Sequence, residues 1–250
     1  MSSIISKNKL SRYTSLQQKK YRKLHGEFIV EGKKGVEEFI HSGFEIIDLI
    51  VVQGNSDGGL LPAEKILWIT EKEMKKISSL SAAPGIVGVF KICEEQRSDS
   101  WKNSFSLVLD GVRDPGNMGT ILRTADWFGI KNIFCSEDCV DIYNSKVVQA
   151  SMGSLARVNV VFTDIVAMFE KEIFPNDFCM MGAFMDGEPV SGFKFTGKGV
   201  LVMGNESEGI RPEMSALITK KISIPRVGNS QTESLNVAIA AAIFCYCLTR

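Results

Sequence analysis

A polar loop just before the middle of the chain contains the first side chains that could do chemistry. Residues 110–125 follow a short apolar run, and their Asp-Pro-Gly sequence is typical of a turn leading into a helix. Asn117 is expected to cap that helix. Arg123 is a permanent cation, yet its neighbours are apolar, so a purely structural turn explains it poorly. We therefore treat this segment as a candidate functional loop.

Two later loops also combine polar side chains with residues that bend the backbone. One is an acidic loop that begins at Gly204, contains Glu206 and ends at Gly209. Glycines let backbone N–H and C=O groups come close to a ligand, although a tight turn would explain them equally well. The other loop precedes the last apolar helix, where Ser234 or Asn236 could simply be the helix cap.

The elements around these loops alternate between short apolar runs and helical stretches. This alternation predicts an α/β domain with a mostly parallel sheet. In such sheets ligands bind beyond the carboxyl ends of the strands, so we expect the site among the loops after Leu109, Met203 and Ile224. The predicted strands are 105–109, 133–135, 179–183, 200–203 and 222–224, and the last helix is 235–248.

The first part of the chain predicts a second, smaller α/β domain. Its predicted elements are a helix over 36–40 that ends near Gly43, strands over 46–52, 67–70 and 85–90, and a helix over 71–80. We therefore divide the chain into an N-terminal domain over residues 1–93, a polar linker over 94–103 and a main domain over 104–250.

Charge is distributed unevenly, although the whole chain is neutral, with 29 basic and 29 acidic residues. Residues 1–34 contain nine Lys or Arg and only two Glu. The densest part of this segment contains Lys19, Lys20, Arg22 and Lys23. A basic segment on a neutral protein is typical of contact with nucleic acid, and a solvated helical face is the alternative.

Composition excludes several classes of protein. The hydrophobic fraction of 44% and the charged fraction of 23% are ordinary for a globular protein. The longest apolar run, 237–248, is shorter than a membrane span, and the N-terminus has no signal-peptide pattern, so we expect a cytoplasmic protein without membrane contact. The six cysteines are too scattered for a zinc site and predict buried thiols in a reducing compartment. Two nucleotide-binding fingerprints also fail. Residues 192–199 match most of a P-loop, but Gly199 stands where the magnesium-binding serine or threonine should be, and the dinucleotide-binding pattern G-x-G-x-x-G is absent.

Taken together and in this order, the three loops resemble the motifs of the SpoU (TrmH-type) RNA 2′-O-ribose methyltransferases of the SPOUT class. The shared positions are Asn117, Arg123, Gly204, Asn205, Glu206, Gly209, Ile224, Pro225 and residues 234–238. Residues 146–154 resemble the segment between the first two family motifs, although Gln149 stands where many relatives have a basic residue. The resemblance covers residues 104–250. Residues 12–90 resemble the accessory RNA-binding domain of many members, which has a ribosomal-protein-like α/β fold.

The resemblance implies an enzyme that uses S-adenosyl-L-methionine, bound in a trefoil knot formed by the C-terminal chain. Composition and periodicity give no sign of a knot. In the family the cofactor contacts are largely main-chain, and they carry over to Met203, Gly204, Asn205, Gly209, Ile224, Pro225 and Leu235. This cofactor carries a sulfonium and no phosphate, which agrees with the missing phosphate-binding fingerprint.

The implied reaction is attack of a ribose 2′-hydroxyl, in ribosomal RNA by analogy, on the methyl carbon of the cofactor. By resemblance Arg123 activates the hydroxyl, or in a milder role it anchors an RNA phosphate and polarises the hydroxyl. The other polar family positions, implied to orient Arg123 and hold the loops, are Asn117, Glu206, Ser234 and Asn236. The reaction requires no metal.

Two kinds of partner follow. The apolar helix over 237–248 must be covered, and together with the resemblance it implies a homodimer through the C-terminal domain. RNA is the other partner, with contacts from the basic residues Lys19, Lys20, Arg22 and Lys23 and from Arg123. Tyr13 or Tyr21 is a candidate to stack on an unpaired base, and either could instead be a core residue.

Two other functions compete with methyl transfer. An RNA-binding ribosome-assembly factor without catalysis predicts that one of the five polar motif residues is missing, and all five are present. A dinucleotide-dependent oxidoreductase needs a glycine fingerprint after its first strand, and the chain has none.

Overall fold

The computed structural model describes residues 3–55, 62–93, 99–228 and 232–250. The chain forms two compact units, each built on one sheet. The first unit consists of Met1–Glu94 together with Asp141–Ala156, and the second consists of Glu95–Val140 together with Arg157–Arg250. The chain therefore passes between the units three times.

Strands and helices are numbered along the chain. The strands are β1 (Ser3–Ile4), β2 (Glu27–Glu31), β3 (Ile46–Val52), β4 (Ile66–Ile69), β5 (Ile86–Lys91), β6 (Phe105–Leu109), β7 (Asn132–Cys135), β8 (Asn159–Phe162), β9 (Cys179–Pro189), β10 (Gly199–Met203) and β11 (Lys220–Ser223). The helices are α1 (Lys7–Ser15), α2 (Lys19–His25), α3 (Lys33–His41), α4 (Glu71–Ile77), α5 (Pro115–Trp127), α6 (Ser145–Ser151), α7 (Ile165–Lys171), α8 (Pro212–Ser215) and α9 (Val237–Leu248).

The first unit is a mixed sheet of five strands in the order β1-β4-β3-β5-β2. Strand β5 runs antiparallel to β2 and β3, whereas β4 runs parallel to β1 and β3. Helix α4 begins at a capping box, because Thr70 accepts from the Glu73 N–H while the Glu73 carboxylate accepts from the Thr70 N–H. The predicted stop of α3 is confirmed at Gly43, whose φ of +84° favours glycine.

Aromatic rings form much of the interior of the first unit. The rings of Phe28, Phe39 and Phe90 lie within 6 Å of one another in centroid distance, and all three are buried. Tyr143 adds a ring whose centroid is 4.6 Å from that of Phe28. Tyr143 comes from the segment Asp141–Ala156, which belongs to this unit although it lies far along the chain.

The second unit is a six-stranded sheet in the order β11-β9-β10-β6-β7-β8, and every neighbouring pair is parallel. The predicted parallel α/β domain is thus confirmed, and all five predicted strands are present. Strand β8 was not predicted, because only Val160 and Val161 form its apolar centre. The central strands β6 and β10 are buried along their whole length, as continuous apolar runs in parallel sheets are.

Part of the predicted linker is folded into the second unit. Asp99–Asn103 forms a short 3₁₀ helix, and its Trp101 is buried against the rings of Phe134, Phe169 and Phe178. The remaining linker residues, 94–98, lie outside the described residues. The knot implied by the resemblance stays a prediction.

The cysteines are free thiols, and three of them are buried as predicted: Cys135, Cys139 and Cys245. The other three differ from that prediction: Cys179 and Cys247 are half-buried, and Cys93, which follows β5, is exposed. Within the described ranges, no helix is long and apolar enough to cross a membrane. The same residues contain no group of three or more side chains that could hold a metal ion.

Candidate functional site

A cavity of about 760 Å³ lies beside the middle of β9 and at the ends of β10 and β11. This volume is within the range of small-molecule sites. Loop residues after β10 and β11 form most of its wall, and the apolar side chains of Val237, Ala240 and Phe244 close one side from α9. All seven residues expected to bind the cofactor line the cavity: Met203, Gly204, Asn205, Gly209, Ile224, Pro225 and Leu235. Glu206 and Ser234, from the predicted catalytic set, also line it.

The loop after β10 is closed at its base by its own backbone. Asn205 N–H donates to Gly209 O at 3.0 Å, and Gly209 N–H donates to Asn205 O at 2.9 Å. A Cβ on Gly204 would lie 2.1 Å from the carbonyl carbon of Gly209, so a larger residue does not fit there. Gly209 has a φ of +71°, which favours glycine. Backbone geometry therefore explains why both positions of this motif are glycine.

The Asn205 side chain shapes the same loop. Its Oδ1 accepts from the Ser207 N–H at 2.8 Å and from the Glu208 N–H at 3.3 Å. Its Nδ2 donates to Gly111 O at 2.7 Å, in the turn that follows β6. Asn205 thus joins two loops that the sequence places almost a hundred residues apart.

Three of the predicted catalytic residues form one hydrogen-bonded row. Asn236 Nδ2 donates to Asn117 Oδ1 at 2.9 Å, and Asn117 Nδ2 donates in turn to Glu206 Oε1. Asn236 also caps α9, because its Oδ1 accepts from the Ala238 N–H at 2.9 Å. The row therefore connects the start of α5, the acidic loop and the start of α9.

The prediction that Asn117 caps α5 is wrong. Asp114 is the N-cap, and its carboxylate accepts from the Asn117 N–H at 2.8 Å. Because Asp114 satisfies the helix end, the Asn117 side chain is available for Glu206 and Asn236.

Arg123 and Ser234 stand apart from this row. Arg123 is exposed on α5, and six residues of helix separate its side chain from that of Asn117 by about 120°. Arg123 makes no hydrogen bond or ion pair within the part of the chain that the structure describes. Ser234 is exposed at the cavity wall. The row thus bonds to itself and not to Arg123, although the resemblance implied that it orients Arg123.

A second polar group lies beside the site and was missed by sequence reasoning. It consists of Asp110, Arg113, Ser136, Asp138 and Arg211, which come from three separate loops. The Ser136 hydroxyl donates to Asp138, and together with Arg113 and Arg211 it holds the pKa of Asp138 well below its usual range. The sequence offers one signal for this group, the position of its members along the chain. Asp110 directly follows β6, and Arg211 follows the Gly209 motif by two residues.

The basic residues near the N-terminus divide into two kinds. Lys19, Lys20 and Lys23 are exposed on α2. Arg22 is only 3% exposed, pairs with Asp141 at 2.7 Å and donates to Leu16 O at 2.7 Å. The prediction that Arg22 binds RNA is therefore wrong, because its guanidinium is used inside the first unit.

The two tyrosines proposed for stacking also differ. Tyr13 is 2% exposed, and its hydroxyl donates to Asp48. Burial and this carboxylate raise the pKa of Tyr13 well above its usual range, so it is a core residue. Tyr21 is half-buried, with its ring stacked on His25 at 6.4 Å between centroids and the Lys20 ammonium 4.6 Å from the ring centroid.

Two protein-family models match the chain. Residues 104–246 match the SpoU rRNA Methylase family, and residues 7–88 match the MRM3-like substrate binding domain. Among curated proteins, the chain is 27% identical to the 23S rRNA (guanosine(2553)-2'-O)-methyltransferase RlmP of Bacillus subtilis, covering 95% of this chain and 94% of that protein.

Two solved structures extend the comparison to the fold. A putative RNA methyltransferase of the TrmH family from Porphyromonas gingivalis is 37% identical, with a TM-score of 0.85 and 98% of each chain covered. An AdoMet-bound rRNA methyltransferase from Sinorhizobium meliloti is 26% identical, with a TM-score of 0.80 over 99% of this chain and 97% of that one. The three loops, the parallel sheet and the matched residues agree, and the chain belongs to the SpoU rRNA Methylase family.

Proposed function

We propose that the protein transfers a methyl group from S-adenosyl-L-methionine to a ribose 2′-hydroxyl of ribosomal RNA. The observation that carries this proposal is the cavity, which the seven expected cofactor residues line beside the row of Asn117, Glu206 and Asn236. The names of the RlmP relative and of the AdoMet-bound Sinorhizobium structure support the substrate and the cofactor.

The residues of the cavity fit this cofactor. Gly204 and Gly209 have no side chain, so the backbone groups of this loop reach the cavity wall. Neither position tolerates a larger side chain easily. Glu206, Glu208 and Glu233 line the cavity with one cation, Arg226, so its charged side chains are mainly negative, which suits a ligand with a sulfonium and an ammonium group. When bound, the cofactor supplies an electrophilic methyl carbon next to a positive sulfur.

The resemblance leaves two roles open for Arg123, activation of the hydroxyl and anchoring of an RNA phosphate, and we assign it the anchoring role. A guanidinium is a permanent cation in proteins, and an exposed one without a partner among the described residues is free to bind an RNA phosphate. It can then also donate to the ribose hydroxyl and polarise it. The row of three polar residues keeps the acidic loop, which lines the cavity, against the start of α5, the helix that carries Arg123.

RNA affinity is assigned mainly to α2 in the first unit. Lys19, Lys20 and Lys23 are solvent-exposed, and Leu24 is 71% exposed beside them. The stacked pair of Tyr21 and His25 provides an aromatic surface next to these charges. A surface of this composition suits an unpaired base and its phosphates better than a regular duplex.

The active form is proposed to be a homodimer through α9. One side of this helix faces the cavity, while Ile239 is 54% exposed and Tyr246 is 45% exposed. Trp127 at the end of α5 is 85% exposed, and α5 packs on α9. A second copy would cover these apolar groups. Light scattering at micromolar concentration should give a dimer, and a monomer for wild type would contradict the assignment.

The function is tested by mapping 2′-O-methyl groups in ribosomal RNA from cells with and without the gene. The expected result is loss of one methylated ribose, restored by the wild-type gene and not by an Arg123→Ala gene. A non-catalytic assembly factor would leave the methylation map unchanged while ribosome assembly suffers. Purified protein, S-adenosyl-L-methionine and that RNA should then reproduce the modification.

A further inference from the structure

Three loops that follow neighbouring strands are joined by charged side chains outside the row described above. Asp110 is the first residue after β6, Asp138 lies in the loop after β7, and Arg211 ends the loop after β10. Because β10, β6 and β7 are adjacent and parallel, the carboxyl ends of these strands meet at one edge of the sheet. The arrangement lies in the unit that contains the cavity.

Arg211 contacts both carboxylates. Its Nε donates to Asp110 Oδ1 at 2.5 Å, its backbone N–H donates to Asp110 Oδ2 at 2.8 Å, and its Nη2 donates to Asp138 Oδ1 at 3.0 Å. Asp110 is buried, with 3% of its side chain exposed. The end of the acidic loop is thus fixed through a buried carboxylate by two bonds.

Asp138 connects the same group to the start of α5. Its Oδ2 accepts from Arg113 Nη2 at 2.9 Å, and Arg113 stands two residues before the first helical residue of α5. Its Oδ1 also accepts from the Ser136 hydroxyl at 2.6 Å, while the Ser136 oxygen accepts from the Gly111 N–H at 2.8 Å. The loop after β6 is therefore held on both sides of Gly111.

We propose that Arg211, with Asp110 and Asp138, is a positioning residue that fixes the acidic loop relative to the start of α5. This inference rests on the proposed function, in which the acidic loop lines the cofactor cavity and α5 carries Arg123. In that reaction the spacing between these two elements sets the distance between the methyl carbon and the ribose hydroxyl. A displacement of about 1 Å between reacting groups can cost on the order of 10²-fold in rate.

The guanidinium geometry gives the inference its specificity. Arg211 reaches two carboxylates with two different nitrogens. A lysine has one ammonium group and can hold only one of them at full strength. The rates should therefore fall in the order wild type, Arg211→Lys, Arg211→Ala.

The experiment measures single-turnover methyl transfer at saturating RNA and S-adenosyl-L-methionine. Cofactor affinity is measured by calorimetry, the melting temperature by scanning, and amide exchange by NMR or mass spectrometry. Lys198→Ala is the matched control, because Lys198 is 38% exposed like Arg211 and pairs with Asp177 at 2.8 Å in the same unit. Arg211→Ala should lower the rate about 10²-fold and cofactor affinity by much less. Because Asp110 is buried and loses its cation, the melting temperature should also fall below that of the control, and the rates are compared at a temperature at which both variants are folded.

The exchange data test positioning independently of the reaction. In Arg211→Ala the amides of Gly209 and residue 211, bonded to Asn205 and Asp110 in the wild type, should exchange at least about tenfold faster, and the control should leave them unchanged. A wild-type protein that transfers no methyl group would overturn the proposed function, and the exchange of these amides would still decide this inference. Unchanged exchange, a wild-type rate in Arg211→Ala, or equal losses of rate and cofactor affinity would each overturn it.

Discussion

Buried ionised side chains are concentrated in the first unit, whereas the second unit carries most of its polar groups in loops. In the first unit Glu27 pairs with Arg12 at 2.5 Å, Asp48 pairs with Lys9 at 2.7 Å, and Arg22 pairs with Asp141. The paired groups Arg22, Glu27 and Asp48 are each at most 5% exposed. In the second unit the row of Asn117, Glu206 and Asn236 lies near the ends of elements, with Glu206 and Asn236 exposed and Asn117 half-buried.

This difference separates two uses of polar chemistry. A buried charge is stable only when its partner is fixed, so its removal is expected to damage the fold. An exposed polar group on a loop contributes little to stability and can meet a ligand. Buried charged residues of the first unit should therefore affect melting, and exposed polar residues of the second unit should affect methyl transfer.

The largest effect is expected for Arg123→Ala. Loss of an interaction that acts on the transition state should lower the single-turnover rate by about 10²–10⁴-fold, while cofactor affinity and melting temperature stay near wild type. Lys131→Ala, another exposed cation of the second unit, is the control. An anchoring role leaves Arg123→Lys partly active, whereas full activity of Arg123→Ala would remove the catalytic assignment.

Arg22→Ala should have the opposite profile. It leaves Asp141 without its partner and removes donors from Leu16 O and Gln17 O, so the free energy of unfolding should fall by about 3 kcal/mol. Denaturant unfolding measures this, with Lys23→Ala as the exposed control. Unfolding curves that coincide for Arg22→Ala and Lys23→Ala would contradict the structural assignment.

The row of three polar residues should give an intermediate effect. Asn117→Ala leaves Glu206 and Asn236 without their shared partner, and hydrogen bonds to charged groups contribute about 1.5–3 kcal/mol. The single-turnover rate should accordingly fall about tenfold to a hundredfold. Because the residues act as one row, Asn117→Ala combined with Asn236→Ala should cost less than the sum of the two, and additive losses would show that they act separately.

The smallest effect is expected for Lys19, Lys20 and Lys23. Replacing all three by alanine should lower the slope of log affinity against log salt concentration by about two, since fewer counterions are released on RNA binding. The melting temperature should stay unchanged. Filter binding at several salt concentrations measures the slope. An unaltered slope would place the RNA contacts elsewhere in the chain.

Much of the second unit could be predicted from sequence because its central strands are continuous apolar runs. Phe105–Leu109 is both the predicted and the observed strand β6, and the loops after β10 and β11 line the cavity as expected. Strand β2 was missed in the first unit, because Phe28, Ile29 and Val30 are a short run between charged residues in a basic segment.

The residues assigned wrongly or missed depend on partners far away in the chain. Arg22 looks like its lysine neighbours in sequence, and Asp141, which buries it, is 119 residues away. Asp110 and Arg211 are 101 residues apart. Local patterns show the type of a side chain and the element that carries it, but they do not show such a long-range partner.

The three passages of the chain between the units also set an order of events during protein synthesis. The first unit needs Asp141–Ala156, which supplies Tyr143 beside Phe28 and Asp141 beside Arg22. The ribosome reaches the end of this segment about 3 to 12 s after Glu94, at the usual rate of roughly 5–20 residues per second. During that interval the nascent first unit has neither the aromatic contact nor the ion partner. Its folding is therefore completed only when about a third of the second unit, residues 95–140, has already been translated.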